Sequence, residues 1–162
     1  MDRREALAAM VGATGAVALS AGALRADDDA VMIPGAVPLK LAEKMRVEAQ
    51  SVPVKVRGAD LHIVSIGTAT FDLDKDSRLS ARLNATVCQY AKVVYRVSAA
   101  AFDASGQLLG AAFHDEAVER YSVGKELTLF REIALDFGVS KAYRRATLVA
   151  VAISEPDVPM PG

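Results

Sequence analysis

The most regular pattern in the chain is a strict alternation of apolar and polar residues over positions 79–87. Its five apolar residues occupy every second position, from Leu79 to Val87. An extended strand points successive side chains to opposite sides, so this spacing places all five on one face, whereas a helix would scatter them around its circumference. The pattern therefore predicts a strand with one buried side and one solvent-facing side.

Related patterns predict further strands on both sides of this one. Apolar and β-branched residues alternate or run together at residues 52–56, 61–73, 93–102, 107–113, 127–137 and 146–153. Pro53 indicates an edge strand, because proline cannot donate to a ladder, and Gly67 indicates a break or bulge. Asp103 and Gly106 bound a tight turn, in which Gly106 supplies a positive φ. About seven strands without a long helix predict an all-β fold, an antiparallel β-sandwich.

Residues 39–50 fit two patterns. Leu41, Met45 and Ala49 share a helical face, whereas residues 44–50 alternate as a half-buried strand does. We favour the strand. The residues just before this segment are rich in proline and glycine, which is typical of a linker or an extended lead-in.

Charge and composition narrow the class of protein. The 162 residues include 19 basic and 20 acidic side chains and are 52% hydrophobic. That balance excludes intrinsic disorder of the whole chain and a nucleic-acid partner bound through bulk charge. The single cysteine excludes an intrachain disulfide framework.

The N-terminus has the pattern of a targeting segment. Arg3 and Arg4 precede an uncharged stretch at residues 6–24 that is dominated by alanine and glycine. The stretch is long enough to span a bilayer but only weakly apolar, so we interpret it as a signal. Small residues offer cleavage after Ala23 or after Ala26, and no membrane span is expected once the signal is removed.

The first residues also carry a family resemblance. Residues 2–7, DRREAL, followed by the weakly apolar stretch, resemble a twin-arginine export signal, with Ala6 and Ala8 at positions where phenylalanine and lysine are usual. The resemblance implies an exported protein, periplasmic or extracellular. An ordinary secretory signal and a segment retained as an anchor are the alternatives.

The chain thus divides into four segments. We assign residues 1–26 to the export signal, 27–50 to a linker or lead-in strand, 51–154 to the β-sandwich domain and 155–162 to a Pro-rich tail.

Residues 97–110, VSAAAFDASGQLLG, carry a second resemblance. A strand that ends in an aromatic residue and is followed by Asp-x-x-Gly and a Leu-Gly pair is similar to immunoglobulin-like and FxLYD-type modules of bacterial envelope proteins. The resemblance implies an immunoglobulin-like sandwich. Tyr143, before the last strand, is then either a tyrosine corner or a packed core aromatic.

Three aspartates form a candidate metal site. Asp72, Asp74 and Asp76 have the spacing of the first three ligands of a calcium loop. Ser77 replaces the required glycine, however, and Leu83 stands where a bidentate glutamate belongs. We therefore interpret the segment as a polar inter-strand loop and keep the three aspartates as candidates for a cation site of another type.

Cys88, His62 and His114 are the residue types of a blue-copper site, but no histidine or methionine follows Cys88 within a few residues. We expect no cofactor. His114 also stands beside two acidic residues, as a general base would, without the sequence context of a nucleophile.

A small basic cluster precedes the last strand. Lys141, Arg144 and Arg145 suit a bound phosphate or a partner carboxylate as well as a solvated turn.

These observations predict an exported, non-catalytic β-sandwich that acts as a binding or structural module in the cell envelope. Its partner would be an unidentified protein, bound through surface strands or an open sheet edge. The alternatives are an accessory subunit of an exported redox complex and a small metal-binding protein.

Overall fold

A computed structural model describes residues 33–90, 92–124 and 127–155. These ranges contain ten β-strands, a short 3-10 helix at Lys141–Arg145 and no α-helix. The strands are β1 (Ala36–Pro38), β2 (Lys44–Gln50), β3 (Val54–Val56), β4 (Ala59–Leu61), β5 (Val64–Leu73), β6 (Arg78–Cys88), β7 (Val93–Phe102), β8 (Leu108–Val118), β9 (Thr128–Val139) and β10 (Leu148–Ser154).

Two four-stranded antiparallel sheets pack face to face. The first sheet has the order β1-β10-β7-β8 and the second sheet the order β2-β5-β6-β9, while β3 and β4 form a separate hairpin. The chain changes sheet at the β1–β2, β6–β7, β8–β9 and β9–β10 connections. The predicted antiparallel β-sandwich is therefore confirmed, with more strands than the seven or so that the pattern indicated.

The core lies between the sheets and follows the predicted alternation. Every second residue of β6, from Leu79 to Val87, is at most 3% exposed. These side chains belong to the same buried cluster as Val97 and Val149 of the first sheet. Burial of each large aliphatic side chain contributes about 1.5–3 kcal/mol, which makes this inter-sheet layer the main source of stability.

Strand β2 confirms the strand interpretation of residues 44–50. Met45, Val47 and Ala49 point into the core, and the residues between them are exposed. Strand β1 pairs with β10 at one edge of the first sheet, and β2 pairs with β5 at one edge of the second. The sandwich thus begins before residue 51, because both edge strands come from residues 27–50, the segment assigned to a linker or lead-in strand.

The connections lie at two opposite ends of the sandwich. The end formed by residues 39–43, 74–77, 103–107 and 140–147 is called here the turn end. The end formed by residues 51–63, 89, 90, 92, 119–124 and 127 is called the loop end. Within the described ranges, no helix has the length and apolar character that a membrane crossing requires.

Candidate functional site

The three candidate aspartates lie at the turn end. The Asp74 carboxylate accepts backbone N–H bonds from Asp76 (2.8 Å) and Arg78 (2.9 Å). Asp72 forms a cross-strand ion pair with Arg82 (3.2 Å). Nowhere in the described part of the chain do three His, Cys, Asp or Glu side chains lie close enough together to hold a metal ion. The arrangement around Asp74 therefore acts as the cap of the β5–β6 turn.

The β7–β8 turn has the same construction. The Asp103 carboxylate accepts backbone N–H bonds from the residues two and four positions further on, at 2.9 and 3.0 Å. The fourth residue of the turn has a positive φ in both cases, 81° at Gly106 and 64° at Ser77. The predicted conformation of Gly106 is confirmed. The segment with the calcium-like spacing and the segment with the Asp-x-x-Gly motif thus form the same type of hairpin turn.

Arg144 of the basic cluster forms hydrogen bonds to another part of the fold. Its guanidinium donates to the Ser77 hydroxyl (2.7 Å) and to the Lys75 carbonyl (2.8 Å). These bonds attach the 3-10 helix to the β5–β6 turn. Arg145 contributes to lowering the pKa of Asp103 by its positive charge. Arg144 therefore ties the β9–β10 connection to the β5–β6 turn, and Arg145 acts on the β7–β8 turn by its charge.

Tyr143 forms a tyrosine corner. Its hydroxyl donates to the backbone carbonyl of Phe137 (2.9 Å), six residues upstream across the β9–β10 connection. Its ring meets the Phe137 ring edge-on, with 6.0 Å between the centroids. A Cβ added at Gly110 would lie 2.8 Å from a carbon of the Tyr143 ring. The glycine of the Leu-Gly pair is thus required by the tyrosine that packs over it.

The structure does not bring Cys88 and the two histidines together. Cys88 is buried at the end of β6, and this burial raises the pKa of its thiol. His62 Nδ1 lies 2.7 Å from the Ser51 carbonyl in the loop end. His114, on β8 of the first sheet, lies 3.1 Å from Glu116. Each histidine has a local partner, the thiol is buried apart from them, and no shared site results.

The remaining predicted site residues fall in segments that the structure leaves undescribed. The twin-arginine pair Arg3 and Arg4 and the cleavage positions Ala23 and Ala26 precede residue 33, and residues 156–162 of the tail follow residue 155.

The loop end carries a surface that the sequence patterns did not single out. Among the described residues, six of the ten large hydrophobic side chains that are exposed lie here, and the Val123 side chain is 98% exposed. The six are called here the loop-end patch. They are Val52, Val54, Tyr90, Tyr121, Val123 and Leu127. Val52, Val54 and Leu127 fall in segments whose pattern predicted strands, and the other three lie in loops. The pattern does not show that any of the six side chains is exposed.

Backbone bonds hold the three segments of the loop end together. The amide of Cys88 donates to the Ile63 carbonyl and that of Gln89 to the Leu127 carbonyl, both at 2.7 Å. Below them, the buried Ser51 hydroxyl accepts the Val64 amide at 3.0 Å. Hydrogen bonds therefore connect the three segments that carry the loop-end patch.

No protein-family model matches the chain, and no curated protein or solved structure shows significant similarity to it.

Proposed function

We propose that this protein is an exported, non-catalytic β-sandwich that binds a protein partner in the cell envelope through the loop-end patch. The observation that carries the proposal is the concentration of exposed apolar side chains at one end of the molecule. Solvent exposure of such side chains is unfavourable, and contiguous groups of them mark interaction surfaces.

The composition of this end favours a protein as the partner. Interface centres are enriched in tyrosine and other apolar residues, and their rims are polar. Tyr121 and Leu127 flank Val123 on one loop, while Glu119 and Arg120 supply both signs of charge beside them. A rim of mixed charge matches a protein surface better than a uniformly charged polymer.

The hydrogen bonds between the segments of the loop end also support a role in binding. Backbone bonds from Cys88 and Gln89 fix the segments relative to each other. A surface ordered before binding loses little conformational entropy when the partner arrives, which increases affinity for a given contact area.

A photoreactive amino acid tests the patch directly. We would place p-benzoylphenylalanine at Val123 and, as a matched control, at Val139, which is 58% exposed at the turn end. Irradiation in the native envelope is expected to give one discrete adduct from position 123 that position 139 does not give. Adducts of equal yield from both positions, or none from position 123, would overturn the proposal.

Export is tested separately. Replacement of Arg3 and Arg4 by lysine blocks twin-arginine export but leaves an ordinary secretory signal basic and functional. We expect the double variant to stay in the cytoplasm while the unchanged chain is recovered outside it, cleaved near Ala23 or Ala26. Normal export of the lysine variant would show that the signal is an ordinary one.

A further inference from the structure

Phe130 is an aromatic residue on an otherwise polar surface. It lies on the side of the second sheet that faces away from the core, and its side chain is 87% exposed. It borders an open depression of about 380 Å³, together with Lys44, Asn84, Thr86 and Glu132. Residues 85 and 131 complete the lining.

Three charged groups line this depression. Arg131 is paired with Glu116 (3.2 Å), and the other two, Lys44 and Glu132, differ from their neighbours on the same sheet. The other charged side chains of this face are paired, as in Asp72–Arg82, Arg78–Asp136 and Arg46–Glu48. Within the described residues, Lys44 and Glu132 form no ion pair or side-chain hydrogen bond. Asn84 donates its amide to Thr68 at 2.8 Å, which leaves its carbonyl oxygen as an acceptor. Unused donors and acceptors therefore surround an exposed ring.

Four of the lining residues form a compact block on β6 and β9, and Lys44 lies across β5 from it, on β2. Asn84 is the register partner of Glu132, and Thr86 is the register partner of Phe130. Neighbouring strands are about 5 Å apart and same-face residues on one strand about 7 Å apart, so the block has about the footprint of one pyranose ring. It lies on β6, which is paired along both of its edges, and on β9, so its geometry is fixed before any ligand binds.

We propose that this depression is a binding site for a neutral sugar ring of a glycan. The polarised C–H groups on one face of the sugar would stack on the Phe130 ring, whose face is electrostatically negative. The hydroxyls at the edge would donate to Glu132 and the Asn84 carbonyl and accept from Lys44. A charged ligand would be attracted by Lys44 or Glu132 and repelled by the other, whereas a neutral polyhydroxylated ligand bonds to both.

Titration of the isotopically labelled full chain with maltotriose, cellotriose and chitotriose, followed by NMR, tests this site. At least one of the three is expected to shift the amide signals of residues 84–86 and 130–132. Phe130→Ala should weaken that binding about tenfold or more, and Phe130→Trp should strengthen it. Phe113→Ala, which removes a 62% exposed ring from the first sheet, should leave the affinity unchanged.

Three results would overturn the sugar site: no shift with any of the three sugars, shifts that persist in Phe130→Ala, or binding of a zwitterionic dipeptide at this site while the sugars stay silent. The loop-end proposal is independent, since its photoreactive probe lies at Val123. A failure of one experiment therefore says nothing about the other.

Discussion

The two ends of the sandwich hold their loops in different ways. At the turn end, polar side chains bond to backbone groups: Asp74 and Asp103 to those of their own turns, and Arg144 to that of a neighbouring turn. At the loop end, backbone bonds from Cys88 and Gln89 connect the segments, and apolar side chains face the solvent. Polar residues spaced as in functional sites thus stabilise one end, while most of the exposed large apolar side chains of the described residues lie at the other.

The largest expected effect comes from overfilling the space beneath Tyr143. In Gly110→Ala, the new Cβ would displace the Tyr143 ring and break its bond to the Phe137 carbonyl. Because the ring is buried, we expect a loss of about 2–3 kcal/mol in the free energy of unfolding, measured by urea denaturation. Gly67→Ala is the control, since nothing lies within 4 Å of its new Cβ. An equal effect of both substitutions would contradict the packing argument.

A smaller effect is expected from removing the tyrosine-corner bond alone. Tyr143→Phe keeps the ring over Gly110 but leaves the Phe137 carbonyl without this donor. We expect a loss of about 1 kcal/mol, the usual net value of one hydrogen bond. Tyr121→Phe, at an exposed position of the loop end, should not change the urea midpoint. Full stability of Tyr143→Phe would show that the ring, and not its hydroxyl, forms the corner.

Two substitutions at Ser77 separate backbone strain from side-chain bonding. Ser77→Ala keeps the positive φ and loses the hydroxyl that accepts from Arg144, whereas Ser77→Gly loses the same bond and relieves the strain. A left-handed conformation costs a residue with a side chain about 1 kcal/mol. We therefore expect Ser77→Gly to unfold at higher urea concentration than Ser77→Ala. The reverse order would mean that this turn carries no strain.

The smallest expected effect is a pH dependence of the stability that the β7–β8 turn contributes. The Ser105 hydroxyl, followed by the backbone bonds from Gln107 and Ser105 and by the charge of Arg145, lowers the pKa of Asp103. Because the folded pKa is below the unfolded value of about 3.9, this stabilisation is present above that pH and is lost as the pH falls through the folded pKa.

Unfolding at about pH 7 and about pH 2 checks this dependence. Asp103→Asn should be less stable than the unchanged chain at neutral pH, and the difference should shrink in acid. Ser105→Ala should show part of the same effect, because it removes the largest contribution to the lowered pKa. If the difference in stability were the same at both pH values, the charge of Asp103 would not contribute to the stability of the turn.

Strand periodicity predicted most of the fold because it reports burial directly. The alternation at residues 79–87 became the buried face of β6, and residues 44–50 became β2 with the same regularity. The pattern did not reveal β1, whose three residues are too few for a period and follow a Pro-Gly pair. Short edge strands are defined by their partner, which is distant in sequence.

The site residues were harder to predict because one spacing serves several purposes. Asp72, Asp74 and Asp76 have the spacing of a cation loop, and the backbone bonds to Asp74, which show that it caps a turn, cannot be read from that spacing. Alternation says nothing of whether another element covers a side chain that points away from the core. The exposure of Val123 and Phe130 is therefore visible only in three dimensions.

Because Cys88 is buried in the folded chain, its thiol is protected from oxidants only if folding comes before export. Oxidation and disulfide exchange need an accessible thiolate, and the folded chain offers neither accessibility nor an ordinary pKa at this position. A chain exported by the twin-arginine route, which carries folded proteins, would arrive outside with its only thiol buried. A chain that crossed unfolded would expose that thiol to oxidation and to other thiols before β6 and β9 paired.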